Sequence, residues 1–294
     1  MPNEGVDDGN IAAGYILVGP TASGKSEIAQ RIAEQTRRCI LSADSMLVYR
    51  DMNLGTAKPS PGERGNVDYL GIDLARPDES FSVGRYLELV GAGLSAEGSP
   101  DEIIVVGGTG LYIRALLEGL PGSRPPDEGV RAQAQDIFRQ GGLEALQNAL
   151  RETDPERMMT LQDPMNARRV QRALEFALAK MSQPRRSEKP AHAAVPGLRY
   201  PREVLAERIR LRTQGMFDAG LVDEVRCLRS VYTGLSAAAG AGIGYEEASG
   251  VVDGRLTMKE AVEKTAARTR RLAKRQMTWF NHQAHVQWVD ISME

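Results

Sequence analysis

A chain of 294 residues can bury a sizeable core as one large domain or two smaller ones, and a formal net charge of −2 excludes a uniformly basic or acidic character. Cys39 and Cys227 are too few and too far apart in sequence for a disulfide framework, and no apolar run approaches the length of a membrane span. A cytoplasmic protein with reduced thiols, no secretory signal and no membrane contact is expected.

Residues 1–13 carry Asp, Asn and Gly without periodicity and read as a disordered tail. "YILVGPTASGKSEIAQ" follows. Tyr15 to Val18 reads as a buried strand, and Ile28, Ala29, Ile32 and Ala33 recur at helical spacing. Between them Gly19, Pro20, Thr21, Ala22, Ser23, Gly24, Lys25 and Ser26 match the phosphate-loop pattern G-x-x-x-x-G-K-[ST] in full. Gly19 and Gly24 let successive N–H groups curl around one concavity, and the helix starting near Lys25 adds its positive dipole end. Lys25 reaches terminal phosphate oxygens, and the Ser26 hydroxyl suits Mg²⁺. The alternative is a chance turn, but the loop lies between strand and helix in the required order.

"CILSA" (39–43) is a second strand and "EIIVVGG" (102–108) a third, followed by a helix through "GLYIRALLEG". Strands alternating with helices predict a doubly wound parallel sheet, whose ligands gather at the carboxyl ends of the strands. Asp44, nineteen positions after Lys25, ends the second strand. Three roles are open to it: a Mg²⁺-binding acid, a general base facing a substrate, or a structural Asp-Ser turn. Its place beside the phosphate loop favours the general base.

From "PGSRPPDEG" (121–129) to about 180 the residues read as helical, and 182–201, rich in Pro and basic residues, read as a linker or flexible loop. The expected architecture is an α/β fold: a parallel-sheet core like that of phosphate-loop NTPases, built from residues 14–120 and 195–294, with an inserted helical domain at 121–194. Arg157 to Arg212 holds thirteen Lys/Arg against five Asp/Glu, and Lys264 to Arg275 six basic residues and no acidic one. Arg168, Arg172 and Glu175 oppose Val170, Leu174, Ala177 and Leu178; Lys264, Arg268, Arg271 and Arg275 oppose Ala266, Ala273, Met277 and Phe280. Such stripes mark either ordinary amphipathic helices or an electrostatic footprint for a polyanion. Arg212 shares an apolar stripe with Leu205, Ile209 and Met216, so its guanidinium either meets an anion, forms a buried ion pair or snorkels outward.

From about Gly14 to Trp288 the chain resembles the tRNA dimethylallyltransferase family, the isopentenyl-diphosphate-type tRNA prenyltransferases, in its bacterial form. The resemblance rests on "GPTASGKS", "ADSMLVYRDMNLGTAKP", "VVGGTGLYIRALLEGL", "RRVQRALE", "GLVDEV", "GIGYEE" and "TRRLAKRQMTWF", in family order. It implies that the phosphate loop, residues 19–26, holds dimethylallyl diphosphate with Mg²⁺ at Ser26, and that diphosphate is a leaving group. Arg212 matches the diphosphate-binding arginine, Asp44 the base that takes the proton of adenosine N6, and Thr109 a position near the reaction centre. Asp44, Ser45, Met46, Leu47 and Thr109, with Arg168, Arg169, Val170, Gln171 and Arg172, match positions that meet the anticodon stem-loop of tRNA. Leu47 stands where the family usually has Gln, and "VDYLGID" (67–73) replaces a His-containing segment. A monomer is expected. The rivals are an adenylate isopentenyltransferase and a phosphate-loop small-molecule kinase.

Overall fold

The computed structural model describes residues 15–97, 103–119, 126–181 and 195–291. The expected tail, 1–13, and residues 182–194 of the expected linker lie outside the described residues. The described residues fall into two compact units, one within Met1–Leu120 and Lys189–Glu294, the other within Pro121–Glu188. Among them no helix is long and apolar enough to cross a membrane.

The first unit is built on a six-stranded parallel sheet: β1 (Tyr15–Val18), β2 (Cys39–Ser42), β3 (Tyr69–Leu70), β4 (Ile103–Gly107), β5 (Val195–Arg199) and β6 (Val286–Asp290). Their spatial order is β3-β2-β4-β1-β5-β6, which bears out the α/β expectation. Every residue of β4 is buried, as a central parallel strand covered on both faces must be. Val18 lies beside Gly107 in register and Ser42 beside Val106, so β1, β2 and β4 end together. β1 is flanked by β4 on one side and β5 on the other, the kind of reversal at which open α/β sheets form a ligand crevice.

Around the sheet run α1 (Lys25–Thr36), α2 (Pro61–Arg64), α3 (Val83–Glu97) and α4 (Gly110–Glu118). α1 lies close to the strands because Ala29 and Ala33 carry the contact, packing on Ile40, Ile104 and Val106. It ends at Arg37, whose left-handed backbone sends the chain back toward β2.

The second unit holds α5 (Glu128–Thr153), α6 (Pro155–Thr160) and α7 (Ala167–Leu178). α5 breaks at Gly141 and Gly142, where Gly142 has φ 62°, so its two halves point differently. Leu146 and Leu150 of α5 bury against Val170, Ala173 and Leu174 of α7. Asp154 and Asn166 cap α6 and α7 through the N–H groups of Arg157 and Arg169.

The remaining helices, α8 (Arg202–Asp218), α9 (Leu221–Val231), α10 (Ala237–Gly240), α11 (Tyr245–Val252) and α12 (Met258–Gln283), belong to the first unit. α12 starts in a capping box made by Thr257 and Glu260. One expectation is corrected here: residues 195–199, read as part of a linker over 182–201, form β5 beside β1. Val195 and Leu198 are buried, and a side chain at Gly197 would collide with Val286 and Trp288 of β6. The Pro and Gly that looked like loop residues mark a strand under close cover.

Candidate active site

The phosphate loop bridges β1 and α1. Gly24, with φ 77°, is the residue before α1, and Ala22 adopts φ 65°, a left-handed conformation that alanine takes only at a cost. Lys25 folds back so that its Nζ donates to Pro20 O at 3.2 Å. From α8, Arg212 donates to Thr21 Oγ1 at 3.3 Å and to Thr56 O at 3.4 Å. From α12, Gln276 Oε1 accepts from Thr21 N–H at 2.8 Å while its Nε2 donates to Gly108 O at 3.0 Å. One amide thus ties the phosphate loop to the turn after β4.

Asp44 follows the end of β2. Its Oδ1 accepts from Met46 N–H at 2.8 Å, and among the described residues the carboxylate makes no other hydrogen bond. Thr109, at the head of α4, accepts from Ser45 N–H at 3.1 Å and holds the two strand ends together. A cavity of about 230 Å³ is lined by Thr21, Gly24, Lys25, Ser26, Asp44 and Arg212, among others. It shares Ser26, Ala57, Pro59 and Tyr69 with an open depression of about 1180 Å³.

The electrostatics follow from two cations and one carboxylate around a confined space. Burial brings the Lys25 pKa down to about 8, against the pull of Asp44 and with a push from Arg212. Burial also lowers the Arg212 pKa, and Asp44 opposes that shift. Both cations sit where water solvates them poorly, so an anion in the cavity gains from both.

The predicted residues divide clearly. Thr21, Ala22, Gly24, Lys25, Ser26, Asp44, Leu47 and Arg212 line the cavity. Gly19, Pro20 and Ser23 are buried supports of the loop. Met46 is half-buried and packs against the core, its Cε beside Gly242. Arg168, Arg169, Val170, Gln171 and Arg172 belong to the second unit. Val170 is a correction. It lies wholly in that unit's core, so its side chain offers RNA no surface. Arg172 is held by Glu175 at 2.9 Å, whereas Arg168 and Arg169 are exposed. The stripe on α12 is also corrected. Arg268 turns into a cluster with Glu246, Glu247 and Ala241 O, leaving Lys264, Arg271 and Arg275 as the stripe's exposed cations, with Lys274 exposed beside them.

Three side chains escaped the sequence reading: Gln276, Arg208 and Glu224. Glu224 of the "GLVDEV" segment accepts from the N–H groups of Asn53 and Leu54 and from the Tyr245 hydroxyl. The Tyr245 ring packs on Gly55, where any side chain would clash. These contacts set the loop whose Thr56 carbonyl meets Arg212.

Oxygen donors alone, the Ser26 hydroxyl and the Asp44 carboxylate, face the cavity as candidate metal ligands. Among the described residues no group of three or more His, Cys, Asp or Glu could hold a metal. That donor set fits Mg²⁺, which keeps several waters and binds largely through substrate phosphates.

A phosphate loop at the switch point of a parallel sheet, facing an acid across one cavity, places the fold among the phosphate-loop proteins. The family is narrower. The profile described as IPP transferase matches residues 47–283, and one described as isopentenyl transferase matches 12–73. The chain belongs to the IPP transferase family. It is 39% identical to a tRNA dimethylallyltransferase 2 of Syntrophus aciditrophicus over 94% of this chain and 91% of that protein. With a tRNA dimethylallyltransferase of Bacillus licheniformis the identity is 37%, over 94% and 90%. The crystal structure of a Bacillus halodurans tRNA isopentenylpyrophosphate transferase matches with TM-score 0.62 and 33% identity, over 94% of this chain and 89% of that one. A eukaryotic dimethylallyltransferase acting on tRNA shares the fold at TM-score 0.77 and 22% identity, over 94% and 73%.

Proposed function

We propose that this protein transfers a dimethylallyl group from dimethylallyl diphosphate to N6 of the adenosine immediately 3′ of the anticodon in tRNA, releasing diphosphate. The observation that carries the reading is the meeting of a phosphate loop, Lys25 and Arg212 with a carboxylate, Asp44, in one cavity. The same groups would serve a phosphoryl transfer too, where cations also meet the leaving group and a carboxylate faces the nucleophile. Membership of the IPP transferase family is what favours the alkyl transfer.

In this reading the allylic C–O bond breaks and the carbon forms a bond to N6. Negative charge develops on the diphosphate, where Lys25, Arg212 and the N–H groups of the loop stabilise it. Asp44 takes the N6 proton through the oxygen not engaged by Met46 N–H. The Ser26 hydroxyl would hold Mg²⁺, which when bound would neutralise part of the leaving-group charge. The adenosine must leave its stack to reach Asp44, which requires a hold on the neighbouring backbone. Lys264, Arg271, Lys274 and Arg275 on α12, and Arg168 and Arg169 on α7, are exposed cations suited to that task. The relatives named tRNA dimethylallyltransferases support tRNA over a free nucleotide.

The test is incubation with labelled dimethylallyl diphosphate and, separately, bulk tRNA, AMP and ATP. Label in tRNA alone supports the reading. Label in AMP or ATP would make the protein an adenylate isopentenyltransferase, and transfer of the γ-phosphoryl group of ATP to a small acceptor would make it a kinase.

A further inference from the structure

We infer that Arg208 is a positioning residue that locks the phosphate loop in its anion-accepting form by holding the Ala22 carbonyl outward. Its Nε donates to Ala22 O at 2.8 Å, and its guanidinium lies over the Tyr200 ring, 5.0 Å from the centroid. Arg208 sits one helical turn before Arg212 on α8, and the two guanidinium groups do different work. Arg212 lines the cavity; Arg208 is not among the residues that do.

The physical need is specific. An anion site built from backbone requires N–H groups inward and carbonyl oxygens outward. Ala22 lines the cavity and holds φ 65°, which the Cβ of alanine disfavours. Without a partner for its carbonyl, the peptide after Ala22 relaxes by rotating, and rotation brings an oxygen toward the phosphate site. Within the loop the only nearby restraint on that peptide is a long bond, 3.3 Å from Ser23 N–H to Pro20 O. The charge-assisted bond from Arg208, steadied by Tyr200, supplies the remainder. Ile209 next to it packs in the same small cluster as Ala22, Ala266 and Ala273, so α8 fixes both the side chain and the carbonyl of residue 22.

The inference rests on the proposed diphosphate site, and the test separates the two. Inorganic pyrophosphate is titrated into the wild-type protein, Arg208→Ala and Arg208→Ala/Ala22→Gly, with melting temperature and tRNA affinity recorded for each. Loss of a charged hydrogen bond predicts roughly 10- to 100-fold weaker pyrophosphate binding by Arg208→Ala, with tRNA affinity and melting near wild type. Glycine adopts φ 65° freely, so the double variant should regain a large part of the loss. A merely structural arginine gives no such rescue. Tyr200→Leu, which leaves the hydrogen bond but removes the ring, should weaken binding roughly two- to fivefold and covers a failure of Arg208→Ala to fold. If the wild type does not bind pyrophosphate, the diphosphate reading falls and this inference with it. If the wild type binds and Arg208→Ala binds equally well, or Ala22→Gly restores nothing, the positioning role alone is overturned.

Discussion

Lys25 carries a stability cost that can be worked out from its surroundings. Burial holds its pKa at about 8, against 10.5 for a free lysine. At about 1.4 kcal/mol for each pKa unit, keeping it charged costs the ligand-free fold up to about 3 kcal/mol at pH 7. The sign follows from proton counting. Between pH 8 and 10.5 the unfolded chain binds the proton that the folded lysine has released, so stability rises with pH across that window. Below pH 8 both states hold the proton and the penalty is present in full. We therefore predict that Lys25→Met is more stable than wild type at pH 7. The gain is reduced by the lost bond to Pro20 O, but that oxygen still accepts from Ser23 N–H. A net gain of about 2 kcal/mol remains, which raises the melting temperature by a few degrees. The assay is calorimetric or fluorescence melting of both proteins at pH 7 and pH 10.5, alongside prenyl transfer, which the variant should lose. A variant that melts at or below the wild type at pH 7 would refute the reasoning. So would an advantage of equal size at both pH values.

Asp44→Asn keeps an acceptor for Met46 N–H but cannot take a proton, so single-turnover transfer should fall by about 10²- to 10⁴-fold with tRNA affinity unchanged. Near-normal transfer would remove Asp44 as the base. Arg212→Ala should weaken binding of dimethylallyl diphosphate, slow the chemical step, or both; a loss confined to tRNA affinity would move this residue to the RNA surface. Arg168→Gln/Arg169→Gln should flatten the slope of log affinity against log salt for tRNA by about two, one per released phosphate contact, without touching pyrophosphate binding. Equal slopes would detach this face from the RNA backbone. Arg172→Gln should instead destabilise the second unit, because Glu175 is buried and loses its cation, which thermal melting would register.

Much of the core could be read before any geometry was known. The phosphate loop, β2 and β4 announce themselves because short apolar runs end in Gly or Asp at chemically meaningful places. β5 and β6 do not. Val-Pro-Gly-Leu-Arg has the composition of a loop, and its pairing with β6 along its whole length and with β1 at Gly197 makes it a strand. β3 spans two residues, too few to carry a period. Arg212 was legible as a charge out of place on an apolar stripe. Gln276 was not, since a glutamine on a basic helix gives no sign that both ends of its amide are engaged 168 and 255 residues away. Periodicity located the stripe on α12 correctly but could not tell that Arg268 turns to Glu246 and Glu247 while its neighbours face solvent. Period assigns a face to a residue; pairing depends on a different part of the chain.

The place of β1 in the sheet also sets an order of events on the ribosome. Val18 pairs with Gly107 on one side and Gly197 on the other, so the strand that carries the phosphate loop is completed only after 179 further residues have been made. At ordinary rates of synthesis that wait lasts on the order of ten seconds or more. The second unit needs no such delay, because α5 and α7 bury one another within a single short stretch of chain. It can fold as it emerges, while β1 still lacks a partner along one edge. A nascent chain arrested once α7 has cleared the ribosomal exit tunnel, with β5 still inside it, should accordingly protect α5 and α7 from protease and leave β1 open to chaperones.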